Sequence, residues 1–87
     1  MATVRLPATL PPLFADLPRR VDVDATTVAA AIVALDARWP GLGDRLCEPG
    51  PVLRRHINVY VDGAPAELGT PLGPAARLDV IAAITGG

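Results

Sequence analysis

The C-terminal residues of the sequence, AAITGG, offer the clearest opportunity for chemistry, because the chain closes on Gly86 and Gly87. A carboxylate is a poor electrophile, but ATP can convert a terminal carboxylate into an acyl-adenylate whose carbonyl a thiol or persulfide can attack. That carboxyl group would have to enter a narrow pocket of an enzyme. Two glycines add no side chains that would clash with the walls, and their backbone bends freely. The tail would then be a substrate, not a catalyst.

Other candidates for catalysis are weak. Cys47 and His56 are the only residues of their kinds and could form a nucleophile and a base. They lie on either side of a proline-rich loop, without a third group to orient them, so a structural cysteine and a surface histidine are favoured. The carboxylates are spread singly, which suggests neither an acid–base pair nor a metal site. The chain lacks lysine and serine, so we do not expect an enzyme built on either nucleophile.

Length and composition restrict the class of protein. A chain of 87 residues has room for one domain, residues 1–87, with a flexible tail from about residue 84. Hydrophobic residues make up 51% of the chain, which is too apolar for disorder, yet no apolar run is long enough to cross a membrane. The net charge is −1 and the arginines are scattered, so we expect no nucleic-acid partner. The N-terminus lacks signal-peptide features, which favours the cytoplasm.

The first elements predicted upstream of the tail are two strands. The ATVRL segment places Val4 and Leu6 on one face of a strand, and the RRVDVDA segment places Val21 and Val23 on one face of the next. The segment between them, PATLPPLFADLP, contains four prolines and must be a loop. Its length is compatible with two neighbouring antiparallel strands.

A helix follows the second strand. Thr26 or Thr27 can cap it, and the sequence PG at Pro40 and Gly41 ends it. A further short helical turn is possible over 43–46. The apolar residues that form one face of the main helix are Val28, Ala31, Ile32, Leu35 and Trp39.

Three more strands complete the pattern. RHINVYVDG is a strand that ends in a tight Asp62-Gly63 turn, APAEL folds back as a short edge strand containing Pro65, and RLDVIAAI is the last strand. The residues predicted to face the core are Ile57, Val59, Val61, Leu78, Val80 and Ala82. Those predicted on the opposite face are His56, Asn58, Tyr60, Asp79, Ile81 and Ala83. The glycines therefore leave from the end of a strand.

This order of elements predicts an α+β fold, in which one helix covers one face of a single sheet. The other face must meet water or a partner. Tyr60, Ile81 and Ala83 could form an apolar patch on it, close to the tail. Such a patch can mark a docking surface, although isolated exposed apolar residues are also common.

The order of elements and three segments, TTVAAAIVALDARWPGL, RHINVYVDG and LDVIAAITGG, resemble the ubiquitin-like sulfur-carrier proteins of the MoaD/ThiS family. The resemblance covers nearly the whole chain and is strongest to carriers of the actinobacterial cysteine-biosynthesis type. It implies the β-grasp fold, with a mixed sheet of four to five strands and one main helix.

The resemblance also implies a mechanism. An E1-like enzyme would use ATP to adenylate the Gly87 carboxylate, and sulfur transfer would give a thiocarboxylate that serves a sulfur-accepting biosynthetic enzyme. Gly86 and Thr85 would line the passage of the tail, and Tyr60, Ile81 and Ala83 would dock partners. No cofactor would be bound by the chain itself. Two alternatives stay open: the small subunit of molybdopterin synthase, and an interaction module with an inert tail.

Overall fold

Strands with alternating apolar and polar residues, and one amphipathic helix, build the fold as the sequence predicts. The protein is seen here as a computed structural model that describes residues 1–82; residues 83–87 lie outside the described part. In chain order the elements are β1 (Ala2–Arg5), β2 (Arg20–Val23), α1 (Val28–Arg38), α2 (Leu42–Leu46), β3 (Cys47–Glu48), β4 (Val52–Leu53), β5 (Ile57–Val61), β6 (Ala64–Ala66) and β7 (Arg77–Ala82). The predicted loop between β1 and β2 also contains one 3-10 turn, Pro11–Leu13.

Five strands form one mixed sheet in the order β2-β1-β7-β5-β6. β1 pairs with β2 antiparallel and with β7 parallel, and β7 pairs with β5 antiparallel. The N-terminal and C-terminal strands therefore lie side by side at the centre of the sheet. The predicted mixed sheet with one main helix is confirmed.

Helix α1 begins and ends where its flanking residues predict. The side-chain oxygen of Thr27 accepts a hydrogen bond from the N–H of Ala30 at 3.1 Å, which satisfies one of the free donors of the first turn. Trp39 caps the C-terminal end, before Pro40. Gly41 adopts φ 95°, a left-handed conformation that favours glycine, and redirects the chain into α2.

The proline-rich loop predicted between Cys47 and His56 contains two short strands. Cys47 pairs with Leu53 and Glu48 with Val52, so a small two-stranded ladder encloses the Pro49–Pro51 turn. Two-residue strands are too short to show any periodicity, and that is why the sequence pattern did not reveal them.

The core lies between α1 and one face of the sheet. Val4 and Leu78 on adjacent central strands are fully buried, as is Leu35 of α1. Leu42 and Leu46 of α2 close one end of this core and are also fully buried. No α-helix or β-strand of the described residues covers the opposite face. The residues predicted to point there are exposed or half-buried up to Ile81, and Ala83 lies outside the described residues. None of the helices in the described part of the chain has the length and apolar character to span a membrane.

Candidate functional site

The pairing of β7 fixes the position of Ala82, the last described residue, which precedes the predicted tail. β7 runs parallel to β1, with Thr3 opposite Arg77 and Arg5 opposite Asp79. Ala82 therefore lies at the end of the sheet where β1 finishes and β2 starts. The predicted tail residues Thr85, Gly86 and Gly87, and the predicted patch residue Ala83, lie outside the described residues.

The other two predicted patch residues lie together on the open face of the sheet. Tyr60 is paired with Asp79 and Ile81 with Asn58, so Tyr60 and Ile81 are diagonal neighbours on adjacent strands. Tyr60 is half-buried, whereas Ile81 keeps 47% of its surface exposed. Both line one shallow depression of about 470 Å³ that extends to Ala82.

Charged side chains line this depression together with the predicted apolar residues. Its further lining residues come from β1, the loop between β1 and β2, the turn between β5 and β6, and β7: Arg5, Leu6, Pro7, Arg19, Gly63, Asp79 and Val80. Two arginines and a carboxylate thus surround the predicted apolar residues. A surface of this composition can contact a partner through both apolar burial and charge.

Asp79 is the only side chain of the described residues with a buried polar atom that lacks a hydrogen-bond partner. Its Oδ2 accepts from Nε of Arg77 at 3.2 Å, while its Oδ1 is buried and unpaired. Burying a carboxylate oxygen without a donor has a free-energy cost. The open face therefore carries polar groups that the fold alone leaves incompletely satisfied.

Cys47 and His56 do not form a catalytic pair. Cys47 lines a depression against α1, whereas His56 lines a different one with Asp44, Arg45 and Arg54. Burial raises the pKa of the Cys47 thiol, although the nearby Arg54 guanidinium acts in the opposite direction. A raised pKa leaves less thiolate at neutral pH, so this cysteine is not an activated nucleophile.

Metal-ligating residues are likewise dispersed. Across residues 1–82, no group of three or more histidine, cysteine, aspartate and glutamate side chains is positioned to hold a metal ion. The site therefore consists of the strand end that leads to the tail and the depression beside it.

The sequence matches one protein family. Residues 4–87 match the sequence profile of the ThiS family. Compared with proteins of curated function, the sequence has no significant match.

Solved structures match along the whole chain. A chain of the Amycolatopsis orientalis BexX/CysO complex is 26% identical with a TM-score of 0.87, covering 100% of both chains. Mycobacterium tuberculosis CysO is 26% identical with a TM-score of 0.84, covering 97% of this chain and 100% of that one. SAMP1 from Haloferax volcanii is 32% identical with a TM-score of 0.78, covering 99% of this chain and 98% of that one. The predicted β-grasp architecture is thereby confirmed.

Proposed function

The chain belongs to the ThiS family of ubiquitin-like sulfur carriers, and from that premise we propose that the carboxylate of Gly87 is the group that carries the sulfur. An E1-like enzyme activates it with ATP, and the resulting thiocarboxylate delivers sulfur to a biosynthetic enzyme. The chain is a co-substrate in both steps and needs no bound cofactor. The use of ATP favours the cytoplasm as the place of this reaction.

One observation carries the proposal: Ala82, the last described residue of β7, lies on the rim of the depression lined by Tyr60 and Ile81. The proposed reacting group belongs to Gly87, five residues beyond Ala82, and five fully extended residues span at most about 18 Å. A partner that contacts the open face can therefore receive the carboxyl group in a pocket no deeper than that. Docking and activation would involve adjacent parts of one surface.

The chemistry needs nothing from the side chains of this protein. The carboxylate oxygen attacks the α-phosphate of ATP and releases pyrophosphate, which gives an acyl-adenylate. Sulfide (HS−) then attacks the carbonyl carbon of the acyl-adenylate: the carbon–sulfur bond forms, the bond from that carbon to the AMP oxygen breaks, and the thiocarboxylate, AMP and a proton result. Gly86 and Thr85 lie in the passage through which the tail enters the partner. Tyr60, Ile81 and Ala83 form the docking contact.

Intact-mass spectrometry tests the proposal. The chain is incubated with ATP, a sulfide source and an E1-like enzyme encoded beside its gene, and we expect a mass increase equal to the replacement of one oxygen by sulfur. Gly86→Val should abolish this increase, because the branched side chain obstructs the passage. Gly73→Ala is the matched control, since an added Cβ there meets no atom within 4 Å.

Unchanged mass of the wild-type chain with an active enzyme would overturn the proposal. If removal of Gly86 and Gly87 also left partner binding and cellular function intact, the protein would be an interaction module with an inert tail. Stable co-purification with a large molybdopterin-synthase subunit would instead indicate the small subunit of that enzyme.

The likeness to a protein described as small archaeal modifier protein 1 favours a second candidate function. The same activated Gly87 carboxyl could be transferred to a lysine amine of another protein. This chain has no lysine, so it could not accept a further copy on a side chain. Trypsin cuts after Arg77, and a conjugate would therefore be found as LDVIAAITGG attached to a lysine of the target.

A further inference from the structure

Arginines are concentrated at the end of the sheet where Ala82, the last described residue, lies. Arg5 is the last residue of β1, and Arg19 and Arg20 lead into β2. Arg5 and Arg19 line the same depression as Ile81 and Ala82. The chain as a whole has a net charge of −1, so this is a local excess of positive charge.

The arrangement of two of these side chains is unfavourable for the isolated protein. Arg5 and Arg20 are direct cross-strand partners in the β1–β2 ladder. Like charges that face each other across a strand pair destabilise a sheet. Neither guanidinium takes part in an ion pair within the described residues.

The carboxylates that could neutralise this pair have other partners. Asp79 lies opposite Arg5 on the other side of β1, but its Oδ2 pairs with Nε of Arg77. Asp22 accepts a hydrogen bond from the hydroxyl of Thr3 at 2.8 Å. Within residues 1–82, neither Arg5 nor Arg20 forms an ion pair with these carboxylates.

Arg19 is held in place by the backbone. Its Nε donates to the carbonyl of Leu6 at 2.9 Å, and the N–H of Leu6 donates to the carbonyl of Arg19 at 2.7 Å. This double contact fixes the start of β2 against the end of β1. The guanidinium is therefore positioned on the rim of the depression.

Arg5 connects two surfaces. It lines the depression with Tyr60 and Ile81, and also a second one of about 290 Å³ with Thr3, Arg20 and Arg77. The apolar surface around Tyr60 and Ile81 and the basic surface around Arg20 are therefore adjacent on the open face. Free nucleotides and nucleic acid would not use the apolar half, whereas a protein surface would use both.

We propose that Arg5, Arg19 and Arg20 bind an acidic patch on the enzyme that activates the tail, beside its apolar contact with Tyr60 and Ile81. The proposal rests on the proposed function. The acidic patch supplies ion-pair partners that Arg5 and Arg20 lack among the described residues, so the repulsion between them is smaller in the complex. Attraction of this kind speeds encounter and orients the tail end of the sheet toward the enzyme.

Kinetics of tail activation test this inference with the enzyme that thiolates the wild-type chain. Arg20→Glu should raise KM for the carrier about tenfold or more with kcat unchanged, because docking is weakened and the tail is intact. Added salt should raise the KM of the wild-type chain more than that of the variant. Arg45→Glu is the matched control, since Arg45 is exposed on α2 and has the same charge change.

Arg20→Glu should also stabilise the free protein. A higher KM of this variant would therefore come from weaker docking and not from a loss of folding. Arg20→Glu places an opposite charge across from Arg5 and should raise Tm by about 2–5 °C. Arg5→Glu creates the reverse pair and should raise KM in the same way. It also places a carboxylate opposite Asp79 in the β1–β7 ladder, so it should not give the same increase in Tm.

If Arg20→Glu and Arg5→Glu match Arg45→Glu in KM and in salt response while the wild-type chain is thiolated, the inference is wrong and the proposed function stands. If no enzyme thiolates the wild-type chain, the proposed function fails and this inference fails with it.

Discussion

The two faces of the central sheet are built from alternate residues of the same strands, yet they have opposite properties. On the covered face, Val4 and Leu78 are fully buried and pack in one apolar cluster with Leu35 of α1. On the open face, their immediate neighbours Arg5 and Asp79 are charged and at least partly accessible. One residue along a strand therefore changes the environment from a dry core to a polar surface.

The contrast indicates that different residues of this small protein provide stability and recognition. The covered face supplies hydrophobic burial, and the described residues bury no polar or charged residue in the core. The open face contributes little to folding and even includes the unpaired Oδ1 of Asp79 and the Arg5–Arg20 contact. Substitutions on the two faces should thus have separable effects.

The largest effect on folding is expected from Leu78→Ala. Leu78 is 0% exposed at the centre of the sheet, and truncation both loses burial and leaves a cavity. The free energy of unfolding should fall by about 2–5 kcal/mol, measured by urea denaturation. A loss smaller than 1 kcal/mol would mean that the covered face is not the source of stability.

Ile81→Ala is the matched control on the same strand. Ile81 lies three residues further along β7, on the opposite face, with 47% of its surface exposed. Its truncation should lower the free energy of unfolding by less than about 1 kcal/mol, because little area is removed from contact. Equal losses for the two variants would remove the distinction between the faces.

The second prediction concerns the open face and the activation of the carrier by its enzyme, not folding. Ile81→Asp places a charge in the depression where the proposed apolar contact forms, and should raise KM for the carrier about tenfold while leaving Tm nearly unchanged. Val33→Asp is the control, because Val33 is also exposed but lies on α1. An unchanged KM for Ile81→Asp would argue against docking through the open face.

The sequence predicts the covered face better than the open one. Alternation in the strands and the spacing of apolar residues in α1 identify buried residues such as Val59, Leu78 and Leu35, because each pattern is local. The limits of α1 follow from Thr27 and Pro40 for the same reason. Tyr60 and Ile81 could be placed on one face because both strands alternate strictly.

The arginine cluster could not be seen in the sequence, where its members look scattered. Arg5 comes next to Arg20 only through the register of the β1–β2 ladder, and next to Asp79 only through the parallel pairing of β1 with β7. Register depends on tertiary packing as well as on local pattern. The useful signal was the alternation itself: it places Arg5 and Arg20 on the same face once the two strands are paired antiparallel.

The smallest predicted effect concerns Cys47, which packs partly buried against the core on the helix side of the sheet. Burial raises the pKa of its thiol, so the folded state holds the proton more tightly than the unfolded chain. The resulting stabilisation is complete below the ordinary pKa of a cysteine thiol, and it is lost as pH rises from that value through the folded-state pKa.

Urea denaturation across this alkaline range should therefore show a small decrease in the free energy of unfolding that is absent in Cys47→Ala. The rate at which iodoacetamide alkylates the native thiol should rise only at a pH above that for a free cysteine, since the thiolate is the reactive form. Alkylation at the free-cysteine pH would mean that the thiol is not shielded, and that the helix side of the sheet is more open than its packing indicates.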